Sequence, residues 1–185
     1  VVITTSDGSV TAANAFTYTT PSTDATLSAL AISTGTLTGT CTGSSTTCSA
    51  SVSNATGSIT VPPTRNQGNA TIGVRLGTSG SYTSVTSGSD SGSLSLNVGT
   101  NTIEILVTAQ DGTTSKLYTL TVTRAGSNDS SLTALTLSTG TLAPTFSSGT
   151  TSYTAIVSNA TSSITVTPTR NDSNATISIG GVSVT

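Results

Sequence analysis

The chain has 185 residues, of which 44 are Thr and 33 are Ser, so about 42% of positions carry a small hydroxyl side chain. Charged residues make up 6% and aromatic residues 3%, with no His, Met or Trp and a net charge of -2, against roughly 25% charged residues in an average soluble domain. That balance excludes a basic field for nucleic acid, and no apolar run approaches the ~20 residues of a membrane-crossing helix.

The chain opens with Val1-Val2-Ile3-Thr4-Thr5. This lacks the basic start and apolar core of an export signal, so any such signal is expected to have been removed or to lie outside these residues. Val, Ile, Leu and Ala fall in short alternating runs, punctuated every eight to twelve residues by Gly, Asn, Asp and Ser. Thr and Val favour the pleated, half-buried surface of a strand, so the fold class is all-β. In chain order, an Asp7-Gly8 turn comes first, pairing Thr4 with Thr11 and Val2 with Ala13. Residues 15–20 are then expected to face residues that precede Val1, which leaves Phe16 and Tyr18 without a partner strand. Strands follow near residues 26–33, 49–53, 58–62, 69–76, 93–98, 102–109 and 115–123.

The last two strands carry the clearest pattern. Ile103, Ile105 and Val107 alternate with Glu104, Leu106 and Thr108, and Tyr118, Leu120 and Val122 alternate with Thr119, Thr121 and Thr123. Asp111-Gly112 between them reads as a two-residue type I′ turn. That turn sets Ile105 opposite Tyr118 and Ile103 opposite Leu120, which gathers the large apolar side chains on one face.

Residues 24–72 align with residues 129–177 at a constant offset of 105 without a gap, with 29 identities in 49 positions. A period near 105 is one domain per repeat, the size of an immunoglobulin-like sandwich of about seven strands with Greek-key connections. The second copy stops near Val182-Ser183-Val184-Thr185, aligned with Ser84-Val85-Thr86. Nothing corresponds to residues 87–124. The second sandwich is therefore expected to be incomplete, with an open edge and an apolar face.

The pattern Leu-x-x-Leu-x-Leu-Ser-x-Gly-x-Leu-x-Pro-x-Phe over residues 132–146, followed by Tyr153 and Val157, resembles the bacterial cadherin-like β-sandwich repeat. The Asp111-Gly112 hairpin and Tyr118-Thr119-Leu120-Thr121-Val122-Thr123 fit the same family. Residues 1–20 resemble the last hairpin of a TIG (immunoglobulin-like, plexin and transcription-factor type) domain. The organisation expected is a TIG-like hairpin or donor segment at 1–22, a complete cadherin-like sandwich at 23–126, and the first part of a second at 127–185. The resemblance implies a spacer or adhesive module of a large exported bacterial protein.

A surplus hairpin at the start and missing strands at the end allow two readings. The chain is a segment of a longer multi-repeat polypeptide, or subunits complete one another head to tail by strand addition, which generates a filament. The candidate assembly interface is Val2, Phe16, Tyr18, Ile177, Ile179, Val182 and Val184.

Cys41 and Cys48 map by the repeat offset onto Phe146 and Tyr153. An aromatic pair in one copy and a cysteine pair in the other imply side chains that touch in both, hence a Cys41–Cys48 disulfide and an oxidising, exported location. Two sulfurs without His do not complete a zinc site, and the spacing is not that of a Cys-x-x-Cys redox motif. No metal or other cofactor is expected.

Asp7 and Asp111 read as turn residues, and Asp24 and Asp129 as repeat-start residues. No carboxylate pair is marked for glycoside hydrolysis, and Ser127-Asn128-Asp129 is too thin for calcium. Arg65 and Arg170, each followed by Asn, are expected to bond backbone carbonyls at strand ends. No Ser has a His to activate it, and the single lysine, Lys116, has no matched partner for an isopeptide bond. Six Asn-x-Ser/Thr triplets begin at Asn54, Asn69, Asn128, Asn159, Asn171 and Asn174, a number that chance produces in such a composition. The function expected is structural rather than enzymatic: a repeat of an extracellular fibre, filament or surface stalk, with further copies of itself as partner. The alternative is an adhesin or phage-type fibre segment that binds glycans.

Overall fold

The computed structural model describes residues 2–11 and 19–184, with only the backbone for residues 2–5 and 8–11. Phe16 and Tyr18 lie outside the described residues, as does Ala13. The chain divides into two compact units, Val1–Ala125 and Gly126–Thr185.

The first unit opens with the hairpin of β1 (Val2–Thr5) and β2 (Gly8–Thr11). Its register differs by two residues from the sequence expectation: Thr5 pairs with Gly8, Ile3 with Val10 and Val2 with Thr11. The turn is thus Ser6-Asp7. This register places Ile3 directly across from Val10.

There follow β3 (Leu27–Leu30), β4 (Thr36–Thr38), β5 (Thr47–Val52), β6 (Ser58–Ile59) and β7 (Pro63–Arg65). Then come β8 (Thr71–Leu76), β9 (Thr83–Val85), β10 (Leu94–Ser95), β11 (Gly99–Thr108) and β12 (Ser115–Arg124). One layer is a six-stranded sheet of order β4-β5-β12-β11-β8-β9, and two short pairs, β3–β7 and β6–β10, supply the apolar residues of the other. Three of these strands, β4, β7 and β9, add to the seven read from the sequence.

The core follows from the two-residue period. Ile103, Ile105 and Val107 of β11 and Tyr118, Leu120 and Val122 of β12 are all fully buried, each contributing roughly 1.5–3 kcal/mol by leaving water. Ile105 pairs with Tyr118 and Ile103 with Leu120, as the pattern predicts. From the facing pairs come Leu27, Leu30 and Ile59, joined by Val61 and Leu96 just beyond β6 and β10.

The β11–β12 turn is wider than a two-residue type I′ loop. The Gly112 amide donates to the Ala109 carbonyl (3.0 Å) and the Ala109 amide to the Thr114 carbonyl (2.8 Å), so four residues, 110–113, form the loop. Asp111 Oδ1 accepts from the amides of Thr113 (3.0 Å) and Thr114 (2.8 Å). The carboxylate supplies the bonds that a tighter turn makes with backbone.

The second unit has β13 (Leu132–Leu137), β14 (Thr141–Ala143), β15 (Thr154–Ile156), β16 (Val166–Arg170), β17 (Ile177–Ile179) and β18 (Val182–Val184). The pairs β13–β16, β14–β15 and β17–β18 repeat β3–β7, β4–β5 and β8–β9. In the first unit β12 and β11 stand between β5 and β8. Among the described residues no strand stands between β15 and β17.

Candidate assembly interface

One end of the first sandwich is fixed by polar and covalent links. Cys41 and Cys48 are disulfide-bonded. Beside them Tyr118, with 0% exposure, accepts from the Leu27 amide (3.0 Å) and donates to the Gly43 carbonyl (2.8 Å). Lys116 Nζ also donates to Gly43 O (3.1 Å), which places the single lysine in a loop-holding role. Burial raises the Tyr118 pKa, partly offset by the Leu27 hydrogen bond.

In the second unit Phe146 and Tyr153 occupy the two cysteine positions, their rings stacked with centroids 6.1 Å apart. Tyr153 Oη donates to the Ser147 carbonyl (2.7 Å) and accepts from its amide (3.0 Å). An aromatic pair thus holds the loop that a disulfide holds in the other copy.

The acids are engaged locally. Asp24 accepts from the Thr26 hydroxyl (2.6 Å), the Thr26 amide (2.8 Å) and Asn66 Nδ2 (2.7 Å). Asp129 repeats this with Ser131 (2.6 and 2.9 Å) and Asn171 (2.7 Å). Both carboxyls are held below the usual range, chiefly by those hydroxyl bonds. Arg65 and Arg170 donate to the carbonyls of Ala70 (2.6 Å) and Ala175 (3.1 Å), as the sequence implies. A polar cluster that the sequence does not mark is Arg75, Tyr82 and the buried Glu104. Arg75 binds Glu104 Oε2 through Nε (2.8 Å) and Nη2 (2.6 Å), and Tyr82 donates to the same oxygen (3.0 Å). Arg75 also lies 4.3 Å from the Tyr82 ring centroid, a cation–π contact. These groups satisfy one another, and no group of three or more metal-ligating side chains occurs among the described residues.

The open ground is in the second unit. Ile179 corresponds to Val74 and Ile177 to Ile72, both 2% exposed in the first unit, yet Ile179 is 41% exposed and Ile177 half-buried. Ile164 is 41% exposed where Ile59 is 2%. The predicted residues Ile177 and Val184 are cross-strand partners, as are Ile179 and Val182, so four of the seven meet on one hairpin. Val182 is largely exposed. Val2 lies in β1 and the side chains of Val2, Phe16 and Tyr18 are outside the described residues. Sequence reading missed Ile156, Val157 and Ile164, also exposed; the 105-residue offset onto Ser51, Val52 and Ile59 marks Val157 and Ile164 as core positions. A cavity of about 370 Å³ opens here, lined by Val166, Pro168, Arg170, Ile177, Ile179 and Val184. Its floor is the equivalent of Val61 and Pro63, buried in the first unit.

Compared with curated proteins, the chain matches none. The family model described as the cadherin-like beta sandwich domain matches residues 9–125 and again residues 132–185, two copies in tandem. The first match takes in residues 9–22, so most of the segment read as the end of a TIG-like domain falls within it. With the repeat, the two-layer sandwich and both matches in agreement, the chain belongs to the cadherin-like beta sandwich domain family.

Proposed function

We propose that the chain is a structural repeat module of an extracellular bacterial fibre, filament or surface stalk, in which sandwiches complete one another by strand addition. The observation that carries this reading is the tandem match of residues 9–125 and 132–185 to the cadherin-like beta sandwich domain, with the first unit folded as a two-layer sandwich. Cadherin-like sandwiches are typically extracellular and non-catalytic, and the Cys41–Cys48 disulfide fits an oxidising compartment. No helix among the described residues is long and apolar enough to cross a membrane. The hydroxyl-rich surface hydrates strands independently of pH and salt. Its small side chains let neighbours approach closely.

The alternative, an adhesin that binds glycans, needs aromatic platforms. Tyr118 is buried, Tyr82 lies under Arg75, and Phe146 and Tyr153 stack on each other. Electron microscopy of the purified chain, run beside a glycan array, tests the two. Fibres without added ligand and a blank array are expected; glycan binding by a chain that stays dispersed overturns the structural reading.

A further inference from the structure

The chain enters the first sandwich at one end and leaves it at the other. The Asp111 amide donates to the Ser22 carbonyl (3.2 Å), so the segment leading into β3 starts beside the 110–113 loop. The Ala125 amide donates to the Val52 carbonyl (3.0 Å), at the far end of β12. The ten residues of β12 separate these points by roughly 30 Å. In a fibre or stalk under tension, β3 is therefore drawn toward the loop end by its first residue, and β12 toward the opposite end by its last. The two strands are pulled to slide past each other along their length.

A small network joins them. The buried Tyr118 of β12 accepts from the Leu27 amide (3.0 Å) and donates to the Gly43 carbonyl (2.8 Å). The Gly43 amide donates to the Leu27 carbonyl (2.9 Å), so both backbone groups of the first residue of β3 are held. From β12, Lys116 Nζ adds a bond to Gly43 O (3.1 Å), and the Thr119 amide donates to the Thr46 carbonyl (2.8 Å). Gly43 and Thr46 belong to the loop closed by the Cys41–Cys48 disulfide. The loop is thus bound to β12 on one side and to β3 on the other, and the disulfide keeps it from lengthening when pulled. Bonds strained together share a force, whereas bonds opened in turn each meet all of it. Burial of the Tyr118 hydroxyl also strengthens its bonds by keeping water from competing for them.

We propose that this network is a mechanical clasp, in which Tyr118 and the disulfide-closed loop couple the first strand of the sandwich to the last and set the force at which the domain opens. The inference rests on the fibre or stalk reading for its use, and adds the device and its residues.

Force spectroscopy on the full chain tests it. Thr23→Cys and Asn128→Cys, both at exposed positions, supply thiol handles on either side of the sandwich, since Cys41 and Cys48 are bonded to each other. The lifetime of the folded sandwich is read at constant force. Tyr118→Phe is expected to shorten it about tenfold, because a buried amide loses its partner in the step that opens the domain. Cys41→Ala with Cys48→Ala is expected to shorten it as well. Val74→Ala truncates the same core from β8, off the path between β3 and β12, and is expected to change the lifetime less than about threefold even where urea unfolding shows it equally destabilised. Equal shortening by Tyr118→Phe and Val74→Ala overturns the clasp in favour of the whole core. An unchanged lifetime in Tyr118→Phe overturns it outright. Single chains are pulled, so the outcome is independent of assembly: chains that hold by the clasp yet stay dispersed in electron microscopy overturn the fibre reading alone, and fibres whose chains are insensitive to Tyr118→Phe overturn the clasp alone.

Discussion

Ile179 stands one repeat beyond Val74, on the same strand position of the same fold, and is 41% exposed where Val74 is 2% exposed. The difference lies in what stands beside it: β11 pairs with β8 directly across from Val74, through Ile105. Within the second unit no described strand takes that place beside β17.

Truncating the two residues is therefore expected to have opposite consequences. Val74→Ala should lower the stability of the first sandwich by about 2–3 kcal/mol, through lost burial and an unfilled cavity. Ile179→Ala should cost the dilute chain less than about 1 kcal/mol, as half-exposed positions do, and weaken assembly instead. Urea unfolding of each variant at low protein concentration, followed by sedimentation at high concentration, checks both halves.

Tyr118 links two loops through one hydroxyl that accepts from Leu27 and donates to Gly43. Tyr118→Phe keeps the ring and leaves the Leu27 amide without that partner. A loss of about 1–3 kcal/mol is expected from the unsatisfied buried amide, with no change in secondary structure by circular dichroism. A variant as stable as the parent would show that water replaces the hydroxyl.

Much of the architecture is legible in the sequence because it rests on local periodicity. Alternation at Ile103, Ile105 and Val107 against Tyr118, Leu120 and Val122 gives the strands, their faces and their register. The 105-residue offset gives the repeat and the paired roles of Cys41–Cys48 and Phe146–Tyr153. What alternation does not encode is partner choice across the sheet. The parallel β5–β12 pairing depends on contacts seventy residues apart. β4, β7 and β9 have three residues each, too few to establish a period. The turn at Gln110–Thr113 escaped because Asp111-Gly112 suits two geometries, and the Asp111 carboxylate chooses the wider one. The buried Glu104 was invisible because its partners, Arg75 and Tyr82, come from a different hairpin.

The Cys41–Cys48 bond closes a short loop, so its removal is expected to cost roughly 2 kcal/mol on the chain-entropy account. The double variant Cys41→Ala, Cys48→Ala should lower the melting temperature of the first sandwich and leave the second unit unchanged. Amide exchange resolved by segment distinguishes the two, and equal loss in both units would contradict the assignment.

Gly35 and its counterpart Gly140 have φ of +106° and +86°, and a Cβ at either would meet a carbonyl oxygen, Ser51 O at 2.6 Å or Ile156 O at 2.7 Å. Gly35→Ala is expected to cost about 1–3 kcal/mol through backbone strain and this clash. Gly68→Ala, where a Cβ meets nothing, should fall within about 0.5 kcal/mol of the parent. Thermal unfolding of the pair makes the comparison.

The dependence on pH follows from depressed carboxyls. Asp111 is held down to about 2 by bonds from the Thr114 hydroxyl and the Thr114 and Thr113 amides. Glu104, bonded by Arg75, and Asp24, bonded by the Thr26 hydroxyl, are lowered as well. A group with a lowered folded pKa contributes stability above its unfolded value and loses it as pH falls through the folded one. Stability should therefore hold at neutral pH and decline below about pH 4, the ordinary carboxyl range. Tyr118 and Tyr82 are raised by burial, so a second decline is expected as pH climbs beyond about 10, the ordinary tyrosine value. With no His in the chain, melting temperatures across pH 5–9 should be nearly flat, and a transition near pH 6.5 would contradict this account.

The central claim, that the chain is a structural repeat module that assembles with further copies of itself, is tested most directly by sedimentation velocity. The purified chain is compared with a variant lacking residues 1–20, across a range of concentrations. The full chain is expected to form species well above 18.1 kDa that grow with concentration, and the variant to remain a monomer. A variant that assembles equally well would contradict strand addition through residues 1–20, and a full chain that stays monomeric throughout would contradict the central claim.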